Sequence, residues 1–205
     1  MCGIVGIVCR PSTRPVPTAD EILAGLDAAL AARPDVGAVA EQVGLTDALL
    51  RGLPGLLALA DHHQLVAQVE RRLDELERFA EEVDGQIESG AVGADDIERA
   101  SAMLVALRDA CWALRNDRLR TARAVSSLAG RDASVGAMAG YLAVQRALSA
   151  LDRLEVRGRD SAGLHLFVWN HGLDESEPAV AELVAARSTD PLYQSESVRW
   201  NDGCL

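Results

Sequence analysis

Lysine is absent from this chain of 205 residues, so all 20 of its basic side chains are arginines. The absence excludes a lysine Schiff base and the covalent carbonyl chemistry that depends on one. Aromatic residues are also scarce, at 3%, although hydrophobic residues together make up 49% of the sequence. The core that these residues can build is therefore aliphatic and rich in alanine, a composition that favours packed helices.

Basic residues are outnumbered by acidic ones, and the net charge of −11 argues against nucleic acid or an anionic membrane as the main partner. No apolar run reaches the ~18 residues that a membrane span needs. Residues 1–8 lack the basic n-region of a signal peptide, and the sequence turns polar at Arg10. We therefore expect a cytoplasmic protein.

Cysteine is sparse, and no two of the four cysteines have the C-x-x-C spacing of a metal or redox site: Cys2, Cys9, Cys111 and Cys204. The adjacent His62 and His63 cannot direct both rings to one helix face, because neighbouring residues point about 100° apart. The sequence therefore predicts neither a metal site nor a cofactor.

The first half of the chain has the periodicity of helices. Thr18 and Glu21 have the spacing of a capping box, which predicts a helix that begins there and stops at Arg33-Pro34. A shorter helix of about Val36–Leu50 is predicted to break at Gly52-Leu53-Pro54-Gly55. A long helix of about Leu56–Glu88 then carries a continuous apolar seam, formed by Leu65, Val69, Leu73, Leu76, Ala80, Val83 and Ile87.

A further helix is predicted after a cap at Asp95 and Glu98, and it runs toward Leu128 past Cys111 on its apolar face. A turn at 130–132 precedes a last helix of about Ser134–Leu154, whose predicted apolar positions are Met138, Tyr141, Val144, Leu148 and Leu151. Several amphipathic helices with short connections predict an up-and-down antiparallel bundle. A scaffold or an interaction module is the simplest role for such a segment.

The start of the chain is an apolar, β-branched run that is typical of a buried strand: Cys2-Gly3-Ile4-Val5-Gly6-Ile7-Val8-Cys9. Removal of Met1 would leave a free α-amine and a thiol on Cys2, so that one residue supplies both a nucleophile and its base. Gly3 beside it allows a backbone or a substrate to approach closely. A second strand is predicted at Leu164–Trp169, after a turn-rich connection, and a short helix at Glu177–Arg187.

The start of the chain and that connection together resemble class II glutamine amidotransferases, which are N-terminal-nucleophile enzymes. The matching residues are Cys2-Gly3-Ile4-Val5-Gly6-Ile7-Val8 and Leu151-Asp152-Arg153-Leu154-Glu155-Val156-Arg157-Gly158-Arg159-Asp160-Ser161-Ala162-Gly163-Leu164. The second motif is most similar to the glutamine domain of the glucosamine-6-phosphate synthase (glutamine–fructose-6-phosphate aminotransferase) family. Arg159 stands where that family usually has an aromatic residue.

The resemblance implies that Cys2 attacks the γ-carboxamide of glutamine, ammonia leaves, and the thioester is hydrolysed to glutamate. It also implies two partners, glutamine and a downstream acceptor domain of the sugar-isomerase type; a second copy of the chain is a further candidate. Arg157 matches the family's arginine near the backbone of the nucleophile and is assigned a positioning role, with Gly3 and Gly158. Asp160 and Ser161 either tie the turn to the first strand or simply cap the turn.

The large helical segment is a departure from the family, whose two motifs are separated by a short stretch. We therefore predict a mostly helical α+β chain, in which an antiparallel bundle (11–154) is inserted into the first strands of an incomplete αββα sandwich (1–10 and 155–205). The family's His-Thr-Arg-Trp-type segment, its Asn-Gly oxyanion-hole segment and a later acidic residue are not found before Leu205. The chain is thus expected to be the N-terminal part of a longer enzyme, weakly active or inactive alone; the alternative is an inactive interaction or assembly module that retains the motifs.

Overall fold

The computed structural model describes residues 6–8, 12–91, 93, 96–130, 132–154, 163–169, 171–174, 176–195, 197–199 and 204. Helices account for 72% of these residues. They are α1 (Ala19–Ala31), α2 (Val36–Leu49), α3 (Gly52–Leu59), α4 (His63–Glu88), α5 (Ile97–Trp112), α6 (Arg120–Ala129), α7 (Val135–Leu154), α8 (Pro178–Arg187) and α9 (Pro191–Gln194), with a π-helical segment at Ala113–Leu119. The chain divides into two compact units with a boundary between Leu154 and Glu155.

The predicted start of α1 is confirmed by a complete capping box. Thr18 Oγ1 accepts a hydrogen bond from the Glu21 backbone N–H at 3.2 Å, and Glu21 Oε2 accepts one from the Thr18 backbone N–H at 2.8 Å. These bonds occupy donors that the first turn of a helix leaves free. The helix ends at Ala31, as the following Arg33-Pro34 predicts, and α2 then begins behind the Asp35 cap, whose Oδ1 accepts from Ala38 at 3.0 Å.

The predicted break after the helix of about Val36–Leu50 is confirmed, since α2 ends at Leu49 and Gly52 has a left-handed φ of 77°. The break is shorter than predicted, because Gly52–Gly55 form the first turn of α3. Pro54 is the third residue of that helix, where a backbone N–H has no acceptor within the helix, so the proline costs no hydrogen bond. The long helix predicted for Leu56–Glu88 is correspondingly divided in two. The division falls at Ala60 and Asp61: Ala60 has an extended backbone after the last residue of α3, and Asp61 has a left-handed φ of 59°.

Ion pairs show that α4 is antiparallel to the continuous helix formed by α5, the π-helical segment and α6. Along α4, Glu70 pairs with Arg123, Asp74 and Glu77 pair with Arg115, and Asp84 pairs with Arg108. The residue numbers of the arginines decrease as those of their partners on α4 increase, so the two helices run in opposite directions. They form one helical hairpin, and α1 and α2, which are joined by a short connection, form another.

These two hairpins pack with α2 parallel to α5, so neighbouring helices of different hairpins are parallel and not antiparallel as predicted. Gly37 lies against Met103, where a Cβ on the glycine would be 3.1 Å from the thioether, and Asp47 pairs with Arg118. The residue numbers increase together along the two helices, so the helices run in the same direction. Because α1 also packs on α4, the chain must cross between α2 and α4, and α3 makes that crossing. Helices α6 and α7 form a third hairpin, and α3 packs against both.

The core of this unit is aliphatic, as predicted. The α4 seam is confirmed, since Leu65, Val69, Leu73, Leu76, Ala80 and Val83 are buried, and Cys111 is buried on α5. The α7 seam was only partly predicted: Met138 is buried together with Leu142, whereas Tyr141 and Leu148 are exposed. None of the helices in the described ranges is long and apolar enough to cross a membrane.

The described parts of the two predicted strands, 6–8 and 163–169, form no strand. Trp169 makes an isolated antiparallel bridge with Cys204, and a single bridge does not supply the ladder of hydrogen bonds that defines a strand. Val8 is 89% exposed and Phe167 63% exposed, so neither segment has buried its apolar face. In the second unit the predicted short helix is confirmed as α8, which buries Val180. The described residues thus show a helical chain.

Candidate functional site

The residues that the amidotransferase motifs predict for the active site lie outside the described residues. They are Cys2, Gly3, Arg157, Gly158, Asp160 and Ser161. Their assigned roles, nucleophile for Cys2 and positioning or turn capping for the others, therefore stay predictions. The geometry of the described residues bears instead on the remaining thiols and on one cleft in the helical unit.

Cys111 is unsuited to nucleophilic chemistry. Its side chain lies beside a hollow of about 290 Å³, next to Glu77 and Arg115, but the residue is only 1% exposed. Burial, and then the charge of Glu77, raise the pKa of the thiol to about 12. Since the thiolate is the reactive form, Cys111 is inert at neutral pH. The prediction of a buried structural thiol at this position is confirmed.

A cleft of about 400 Å³ lies between α3, α6 and α7 in the helical unit. We call it the arginine cleft. Its floor is apolar, and its rim carries three arginines, one aspartate and two hydroxyl groups. The lining residues are Leu50, Gly52, Leu56, Leu59, Asp117, Arg118, Thr121, Ala122, Leu142, Arg146, Ser149, Ala150 and Arg153.

One wall of the arginine cleft is a single face of α7. Arg146, Ser149, Ala150 and Arg153 occupy positions i, i+3, i+4 and i+7, which places them on one face of a helix. Arg153 donates a hydrogen bond from Nη2 to Asp117 Oδ1 at 3.0 Å across the cleft. Arg146 has no hydrogen bond or ion pair with any described residue, and its guanidinium is exposed. This wall therefore offers one free cation and one that is held in place.

A buried carboxylate holds Arg118 at the opposite rim. Arg118 donates from Nε to Asp47 Oδ1 at 2.9 Å and from Nη2 to Asp47 Oδ2 at 3.2 Å, while Arg51 donates to the same Oδ2. The Asp47 side chain is only 5% exposed. A carboxylate removed from water is tolerated only when it is paired and hydrogen-bonded, and two guanidinium groups satisfy this one.

The π-helical segment directs its side chains to three different neighbours. Arg115 pairs with Asp74 and Glu77 on α4, Asp117 pairs with Arg153 on α7, and Arg118 pairs with Asp47 on α2. A π turn is wider than an α turn and leaves a carbonyl poorly matched; here Asn116 Nδ2 donates to the Trp112 carbonyl at 3.1 Å. The segment thus joins three elements at the edge of the cleft.

Gly52, the first residue of α3, lies between two arginines that are distant in sequence. A Cβ placed on Gly52 would be 3.8 Å from Nη2 of both Arg14 and Arg146. Arg14 also donates hydrogen bonds to the carbonyls of Ala48 and Arg51. The segment that leads into α1 and the second half of α7 therefore meet at the same point of the bundle.

Sequence reasoning missed the arginine cleft, although one signal was available: the polar row on α7 interrupts an otherwise apolar helix. Among the described residues no group of three or more His, Cys, Asp and Glu side chains is arranged to hold a metal ion. Comparison with protein-family models, with curated proteins and with solved structures finds no match to this chain.

Proposed function

We propose that this protein is the N-terminal part of a class II glutamine amidotransferase, which hydrolyses glutamine at Cys2 and supplies ammonia to an acceptor, a sugar phosphate. The observation that carries the proposal is the pair of motifs, Cys2-Gly3-Ile4 at the start of the chain and Arg157-Gly158-Arg159-Asp160-Ser161-Ala162-Gly163 after the bundle. Each motif is short, and it is their combination in one chain that resembles this family.

In the proposed reaction Cys2 provides both the nucleophile and its base once Met1 is removed. The α-amine has a reference pKa of about 7.7–8 and the thiol one of about 8.5, so the amine can accept the thiol proton at neutral pH. The thiolate attacks the γ-carboxamide of glutamine, the nitrogen leaves as ammonia with the transferred proton, and a thioester forms. Water then cleaves the thioester to glutamate and restores the thiol.

The chemistry of Cys111 supports the choice of Cys2. A thiol whose pKa is about 12 supplies almost no thiolate at neutral pH. Cys111 also lies on α5, inside the bundle, where no free amine is at hand. A residue that carries its own base is the better nucleophile.

The path of the chain supports the proposal that the helices are an insertion in an amidotransferase sandwich. Arg14, which precedes α1, and Arg146, on the second half of α7, both lie beside Gly52, so the segment that enters the bundle lies near its last helix. A segment with neighbouring ends can be inserted into another fold without separating the strands on either side.

The composition of residues 163–169 supports the proposed sandwich. Their apolar side chains are exposed, with Phe167 63% and Trp169 64% exposed and their rings stacked 5.7 Å apart. A strand in the middle of a two-layer fold has this composition, because further strands and a covering layer bury both of its faces. The proposed compartment is the cytoplasm.

Glutamine hydrolysis by the full-length protein tests the proposal. Release of glutamate is measured for the wild type, for Cys2→Ala and for the matched variant Cys111→Ala. We expect Cys2→Ala to abolish the release and Cys111→Ala to retain it, while any ammonia-dependent reaction of the acceptor domain survives in both. Glutamate release that persists in Cys2→Ala would reject the proposal.

A further inference from the structure

We propose that the arginine cleft binds a small phosphorylated molecule, a phosphate monoester with an apolar body. Among the described residues that line the cleft, Arg153 is the one that also falls within the second amidotransferase-like motif. All of these lining residues belong to the helical unit Ile4–Leu154. The inference therefore stands or falls independently of the amidotransferase assignment.

Charge is the first argument. The chain as a whole has a net charge of −11, yet the rim of the cleft carries Arg118, Arg146 and Arg153 against the single aspartate Asp117. Behind the rim, Asp47 is matched by the additional Arg51. The remaining excess of positive charge is close to the ~1.5–2 negative charges of a phosphate monoester at neutral pH. A single carboxylate would leave about half of that excess uncompensated.

The free donors are the second argument. Arg146 has its whole guanidinium available, and Arg153 donates only from Nη2. Thr121 and Ser149 line the same space, and their hydroxyls make no hydrogen bond to a described residue. A planar guanidinium donates two parallel hydrogen bonds to phosphate oxygens, which makes arginine the preferred residue for this group.

Fixed cations are the third argument. Asp47 holds Arg118 with two hydrogen bonds, and Asp117 holds Arg153. A cation that is already in position loses less side-chain entropy when a ligand binds. Of the three rim arginines, Arg146 alone would become ordered when a ligand binds. Its replacement should therefore weaken binding without disturbing the fold.

The floor and the size of the cleft define the rest of the ligand. Leu50, Leu56, Leu59, Ala122 and Leu142 form an apolar base beneath the arginines. The volume of about 400 Å³ lies within the ~300–1,000 Å³ range of small-molecule sites. Inorganic phosphate would leave this base uncovered, whereas an ester with an apolar body would bury it.

Titration calorimetry on the full chain tests the proposal, with phenyl phosphate as the probe and with inorganic phosphate and benzoate at equal ionic strength as comparisons. We expect phenyl phosphate to bind saturably and more tightly than either. Arg146→Gln should weaken binding about tenfold, because it removes charge-assisted hydrogen bonds. The control Arg71→Gln removes an exposed α4 arginine outside the cleft and should leave the affinity unchanged.

Three results would overturn the proposal. The first is the absence of saturable binding of phenyl phosphate. The second is equal weakening in Arg146→Gln and Arg71→Gln, which would indicate general attraction to positive charge. The third is benzoate binding as tightly as phenyl phosphate, which would make the cleft a carboxylate site. Because Arg146 has no partner among the described residues, the ligand-free variant should melt at the wild-type temperature, so that a loss of affinity can be assigned to the missing guanidinium.

Discussion

Arg118 binds both carboxylate oxygens of Asp47, with hydrogen bonds of 2.9 Å and 3.2 Å from Nε and Nη2. The pair joins the π-helical segment to the last turn of α2. It also fixes the direction in which α2 and α5 run alongside each other, and it sets one rim of the arginine cleft. A single buried ion pair therefore connects the topology of the bundle to the arginine cleft.

Replacement of Asp47 by alanine is expected to destabilise the helical unit strongly. The substitution leaves Arg118, whose side chain is 18% exposed, without its carboxylate, and breaking a buried pair from one side costs about 3–5 kcal/mol. Urea unfolding followed by circular dichroism would measure the loss. The matched control is Asp96→Ala, whose partner Arg99 is exposed, and it should cost less than ~1 kcal/mol. Similar losses for the two variants would refute this account of Asp47.

The pair of Asp27 and Arg72 gives a prediction about pH. Arg72 donates to both oxygens of Asp27, at 2.6 Å and 3.0 Å, and these bonds hold the pKa of Asp27 below its usual value. Because the folded-state pKa is depressed, the stabilisation is present above the unfolded pKa near ~4 and is lost as the pH falls through the lower folded pKa. Asp27→Asn should cost about 0.2–1 kcal/mol at neutral pH, the range of exposed ion pairs.

Urea unfolding measures the difference in unfolding free energy between the wild type and Asp27→Asn. The measurement is made at neutral pH and then at a pH below the folded-state pKa of Asp27. The difference should shrink toward zero in acid, since both proteins are then uncharged at position 27. Asp109→Asn, at an exposed position on α5 with no side-chain hydrogen bond among the described residues, should show no such change. A difference that stays constant from neutral to acid pH would contradict the assigned role of the ion pair.

Local sequence signals predicted those features that are set by neighbouring residues. The capping box of Thr18 and Glu21 and the Arg33-Pro34 stop placed α1 correctly, because caps and prolines act within one turn of helix. The break at Asp61 carried no such signal, since left-handed backbone at a residue other than glycine is set by its surroundings. The π-helical segment has an ordinary helical composition, and nothing in it marks the wider turn.

Neither the arginine cleft nor the burial of Asp47 was predicted, because both depend on contacts between distant parts of the chain. From the sequence alone, Asp47 would be expected on the surface of its helix. In the structure it is buried, because Arg118 of the π-helical segment pairs with it. The strands predicted at the start of the chain and at Leu164–Trp169 illustrate the same limit. Their composition is that of strands, but strand formation requires a neighbour, and the described residues supply a single bridge at Trp169.

The central claim is that Cys2 is the nucleophile of a glutamine hydrolase, and chemical labelling tests it most directly. The full-length protein, with Met1 removed, is treated with a glutamine analogue that carries an electrophilic side chain, and the labelled peptides are identified by mass spectrometry. We expect the label on Cys2 alone, since the pKa of about 12 protects Cys111 and only Cys2 carries a free amine. Protection of Cys2 by glutamine would confirm that the thiol lies in a glutamine site. A label on Cys9, Cys111 or Cys204 with Cys2 unmodified, or full glutaminase activity in protein that retains Met1, would contradict the claim.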